Sequence, residues 1–184
     1  MELLESFAPG VLLALAASYM TYFFANRSTQ RTEKRGICRE AAADLAAPLR
    51  DLRSMTRMWG RRDLTQADVQ AAVVAWARAC DRQKHRLPDD LVRMCRGVRE
   101  AAGEVFGGVV TSERHPEMAD YPLAEPDFTW QEHAEEYMSD VLDALVRWGD
   151  GQPLKYELLG FDAWLDATDR YRRGGHNVRI LPFT

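Results

Sequence analysis

Between Ser6 and Asn26 the sequence SFAPGVLLALAASYMTYFFAN lacks any Asp, Glu, Lys or Arg, although 28% of the chain is charged. Other shortages narrow the function further. Cysteine occurs three times, as Cys38, Cys80 and Cys95, an odd set at unpatterned spacing. That suggests neither a disulfide framework nor a zinc knuckle and predicts free, mostly buried thiols. Lysine is nearly missing, with three residues among 24 basic ones. Arginine in its place, with abundant alanine, matches the coding bias of a GC-rich bacterium, so arginine alone is weak evidence of chemistry. There is no phosphate-binding loop, because Gly107-Gly108 has neither a strand before it nor a Gly-Lys-Ser/Thr. The helical segments differ in length, capping and composition, so no repeat period emerges.

The uncharged run has 21 residues. At the rise of an α-helix it reaches about 30 Å, the thickness of a bilayer's hydrocarbon core. It therefore reads as a transmembrane anchor over residues 1–26, with Val11, Leu12, Leu13, Leu15, Tyr19, Met20, Phe23 and Phe24 as membrane-spanning side chains. A cleaved secretory signal fits poorly, since the n-region carries Glu2 and Glu5 in place of basic residues. A basic juxtamembrane segment, 27–36, follows directly. Its Arg27, Arg31, Lys34 and Arg35 are placed to meet lipid head groups, and basic flanks stay on the cytoplasmic side. The expected topology is a single pass through the cytoplasmic membrane, with the N-terminus outside and the C-terminal domain in the cytosol.

A net charge of −4 conceals a division. Residues 27–62 hold ten Lys/Arg and four Asp/Glu, whereas 113–169 hold three and fifteen. A basic section beside an anionic surface and an acidic section away from it suit membrane lipid as a partner. They do not suit nucleic acid, which needs an excess of basic surface. The two sections could equally complement each other inside one bundle.

Downstream, apolar spacing predicts an all-α fold: the anchor, then a mainly antiparallel helical bundle over 37–173. Leu45, Leu49, Leu52, Thr56 and Trp59 alternate at steps of four and three on one stripe of a helix from Ile37 to Arg62. Pro48 predicts a kink or restart within it. Arg50, Arg53, Arg57 and Arg61 align on another face. Thr65, with Asp68 three residues on, predicts the next N-cap, followed by Val69, Val73, Trp76 and Cys80 inward. Pro88, Asp89 and Asp90 open a third helix with Leu91, Met94, Val98, Ala101, Val105 and Val109 on its stripe.

The stretch 111–128, with Pro116, Pro122 and Pro126 among acids, predicts an irregular loop. It either packs across the bundle or docks a partner through Tyr121, Leu123 and Phe128. Thr129 and Glu132 predict a capping box launching a helix from Trp130 to Trp148, with Ala134, Tyr137, Val141 and Leu145 inward. A short helix from Phe161 to Arg172 carries Trp164, Leu165 and Thr168. The tail, 174–184, alternates weakly at Val178, Ile180 and Pro182 and supplies one strand or none.

No catalytic constellation is evident. His85, His115, His133 and His176 fall in loops or on polar faces, and His133-x-x-Glu136 has no second copy to complete a di-metal site. Cys80 lies on the apolar stripe with Trp76, where burial raises a thiol pKa and disarms a dyad with His85. No cofactor or metal is expected. The reading is a membrane-anchored interaction or scaffold module with an unknown protein partner and scope for self-association. Its rivals are a membrane-bound sensor or effector of a bacterial stress or phage-response system, and an enzyme with an unrecognised site.

Overall fold

The computed structural model describes residues 2–111, 122–154 and 159–173; within these, the side chains of 2–17, 21, 24–25, 28, 31, 111 and 169–173 are not described. The structure is built from helices α1 (Glu2–Met58), α2 (Gln66–Gln83), α3 (Asp89–Phe106), α4 (Phe128–Gly149) and α5 (Phe161–Arg173), and a 3₁₀ turn at Gly107–Thr111 continues from α3. There is no strand among the described residues. By its internal contacts the chain divides into Met1–Ile37 and Cys38–Thr184.

In the second unit, the leucine stripe of α1 supplies Leu45, Leu49 and Leu52, all fully buried, and they join one core with Val69, Val73 and Trp76 of α2, Val98 of α3, and Tyr137, Val141 and Leu145 of α4. Thr56 completes the stripe as a buried polar residue, its hydroxyl donating to the Leu52 carbonyl at 3.1 Å. That bond within its own helix satisfies the group where no water reaches. Trp59 falls just beyond the helix and is half-buried, edge-on to Phe106 at 6.1 Å.

Pro48 does not break α1. A proline removes one backbone hydrogen bond and crowds the preceding turn, yet the helix runs through it to Met58. Leu45 on one side and Leu49 and Leu52 on the other are fully buried, and that burial outweighs the single lost bond. The helix also stops short of Arg62, because Gly60 takes φ 79° and the chain turns. A side chain at Gly60 would be strained by that φ and would meet Pro126, whose Cβ lies 2.9 Å from where a new Cβ would sit.

At the start of α2 the capping box forms as expected: the Thr65 side chain accepts from Asp68 N–H, and the Asp68 carboxylate accepts from Thr65 N–H at 3.0 Å. The start of α4 differs. Asp127, not Thr129, is the N-cap, and its carboxylate accepts from Thr129 N–H at 2.8 Å and Trp130 N–H at 3.3 Å. An ionised carboxylate satisfies two orphan donors and complements the helix dipole, which outcompetes a hydroxyl two residues later.

Where α3, α4 and α5 meet, the backbone comes close. A Cβ on Gly97 would run into the Tyr137 hydroxyl and lie 2.8 Å from the Phe161 backbone nitrogen. Only glycine leaves room there. Tyr137, Phe161 and Trp164 form an aromatic cluster with centroids 5.3 to 6.1 Å apart, and the Tyr137 hydroxyl donates to Leu159 O at 2.9 Å. Burial raises that phenol above its ordinary pKa.

Among the described residues no helix is long and apolar enough to cross a membrane. Val11, Leu12, Leu13, Leu15 and Phe24, on which a span would rest, belong to α1 with side chains that are not described, and the tail 174–184 lies outside the described residues.

Candidate functional site

Three surfaces carry unexplained chemistry. The first is on the N-terminal unit, where the described part of the uncharged run is apolar and outward-facing: Tyr19 is 69% exposed, Tyr22 70%, Met20 52% and Phe23 47%. Large aromatic and thioether side chains in water are unfavourable by about 25 cal/mol per Å² of apolar area. Of the head-group candidates, Arg27, Lys34 and Arg35 are exposed on the same helix, and the side chain of Arg31 lies outside the described residues.

The second is the loop before α4. Its described part, 122–127, is tied to the bundle: Ala124 N–H donates to Phe106 O at 3.1 Å, Pro126 covers Gly60, and Leu123 packs against the core. The three docking candidates are not brought together. Leu123 is half-buried, Phe128 stands 67% exposed at the first turn of α4, and Tyr121 lies outside the described residues.

The third, which the sequence reading missed, is a cleft of about 820 Å³ along α2 and α3, with Trp76, Cys80, Lys84, Cys95, Arg99 and Glu100 among its walls. Its charges are of both signs, so no simple ion is selected. Trp76 is fully buried, and its indole N–H donates to the Cys95 carbonyl at 3.2 Å. The neighbouring Cys95 thiol, and then burial, push the Cys80 thiol well above its usual range. Both are half-buried and free, as is Cys38, so the thiols are more accessible than the apolar stripe alone implies. The sequence carries no signal for the pair, since helical period places each cysteine only on its own helix.

Ion pairs join the basic and acidic sections. Arg53 Nη2 donates to Glu135 Oε1 at 3.3 Å, Arg57 Nε donates to the same oxygen at 2.9 Å, and Arg39 Nε donates to Asp150 at 3.0 Å. The hydrogen bond from Arg57 holds Glu135 below the usual carboxylate range. Elsewhere Asp44 accepts from Arg82 Nη2 at 2.8 Å and from the Gln83 amide at 2.9 Å, and is lowered for the same reason. Half of the arginine stripe thus has an internal acidic partner, while Arg50 and Arg61 are exposed. His133 packs edge-on to Trp130 at 6.1 Å. Among the described residues no group of three or more His, Cys, Asp or Glu is arranged to hold a metal ion. Comparison with protein-family models, with curated proteins and with solved structures gives no match.

Proposed function

We propose that this protein is a single-pass membrane-anchored interaction module. Residues 6–26 cross the cytoplasmic membrane with the N-terminus outside, and a cytosolic helical bundle receives a protein partner. The observation that carries the reading is the uncharged 21-residue run followed immediately by Arg27, Arg31, Lys34 and Arg35. The exposure of Tyr19, Tyr22 and Phe23 supports it, since aromatic side chains near a basic flank suit the inner membrane–water boundary. Lipid covers the apolar surface, and the arginines within reach of the head groups each contribute about 1 kcal/mol.

In the bundle, Arg53 and Arg57 are engaged with Glu135. The basic charge proposed to meet lipid is the group Arg27, Arg31, Lys34 and Arg35, with Arg50 and Arg61 exposed further along the chain. Nucleic acid is not the ligand on this reading, because the acidic 113–169 section repels a polyanion.

Paired fusions after Thr184 test the topology. A reporter that functions only in the cytoplasm should be active, and one that functions only after export should be silent; the opposite pattern would overturn the orientation.

A further inference from the structure

Cys80 on α2 and Cys95 on α3 are both free and line the same cleft, with Trp76 in the same wall. The aromatic wall beside them is rigid, because the Trp76 indole is hydrogen-bonded to the Cys95 backbone. Two half-buried free thiols that face one cleft from packed helices have a route to each other, and the cleft gives a small reagent a path to both. We propose that Cys80 and Cys95 form a modification site, a dithiol that a hydroperoxide converts into an intramolecular disulfide joining α2 to α3.

The chemistry balances without a cofactor. The Cys95 thiolate attacks one peroxide oxygen, so that an S–O bond forms, the O–O bond breaks, and the alcohol leaves with a proton. The Cys80 sulfur then attacks the Cys95 sulfenic acid. An S–S bond forms, the S–O bond breaks, and the departing hydroxide takes the Cys80 proton as water. Two sulfurs lose two electrons together, and the hydroperoxide gains them. In this order Cys95 meets the oxidant first and Cys80, on the same helix as the buried Trp76, is the resolving thiol. In a reducing cytosol the pair returns to thiols by exchange with a small-molecule thiol.

The test uses the purified full-length chain, exposed to hydrogen peroxide, then denatured, alkylated and mapped by mass spectrometry. One alkylated cysteine, Cys38, should remain, with a reducible link between the Cys80 and Cys95 peptides, and Cys38→Ser should leave that link intact. Three alkylated cysteines, a link that includes Cys38, or over-oxidation without a link would overturn the site. The order of attack has its own readout. Dimedone should label Cys95 in Cys80→Ser, whereas labelling of Cys80 in Cys95→Ser without labelling of Cys95 in Cys80→Ser would reverse the assignment.

Discussion

Apolar residues on the two units meet opposite fates. In Met1–Ile37, Tyr19 and Tyr22 are 69% and 70% exposed; in Cys38–Thr184, Leu45, Leu49 and Leu52 are fully buried. Both sets sit on α1, so helix propensity does not separate them. What separates them is a partner. The leucines share one buried core with residues of α2, α3 and α4, and their burial offsets the cost of ordering the chain. The aromatics are outward, and their apolar area is available to lipid. Hydrophobic residues thus specify a fold in one unit and, on the proposal above, an address in the other.

The comparison breaks most visibly if a core residue proves dispensable. Trp76→Ala removes a fully buried indole and its bond to Cys95 O and should cost about 3–5 kcal/mol, or about 6–20 °C in melting temperature. Thermal unfolding of the detergent-solubilised chain reads this directly; an unchanged melt would place Trp76 outside the core. Next comes Gly97→Ala, which drives a methyl into Tyr137 and the Phe161 backbone. It should cost about 1–3 kcal/mol as an overpacked site, and denaturant titration showing no loss would mean that α3, α4 and α5 do not approach so closely.

Charge gives a smaller effect with a defined sign. The folded pKa of Glu135 and that of Asp44 are depressed, so their contribution is fully present above their unfolded values of about 4 and is lost as pH falls through the lower folded values. Glu135→Gln should cost under about 1 kcal/mol at neutral pH, in keeping with partly exposed ion pairs. It should also flatten the acid limb of a stability-versus-pH curve. An unaltered acid limb would remove Glu135 from the pairing with Arg53 and Arg57. The smallest change belongs to the other unit. Tyr19→Ser with Tyr22→Ser should leave the bundle's melting temperature within the shift expected from about 0.5 kcal/mol, and a loss comparable with that of Trp76→Ala would show that these rings pack internally.

Much of the bundle was legible because burial follows helical period. Val69, Val73 and Trp76 lie inward as the spacing predicts, and the Thr65–Asp68 box forms. Pro48 does not restart the helix: local rules see the lost hydrogen bond and not the buried leucines on either side. Thr129 was misleading because T-W-Q-E matches a capping box while Asp127, two residues earlier, offers the stronger acceptor. The cleft and its dithiol were hidden for another reason. Helical period places Cys80 and Cys95 each on its own helix, and only the pairing of α2 with α3 brings both to one cleft.

The central claim is that the apolar N-terminal run belongs in lipid. Extraction of native membranes at alkaline pH tests it, with the full chain compared against one lacking residues 1–26. An integral anchor predicts that the full chain stays in the pellet and the truncated chain leaves with the supernatant. A full chain that is released along with the truncated one would contradict the anchor and turn the exposed aromatics into a surface for another protein.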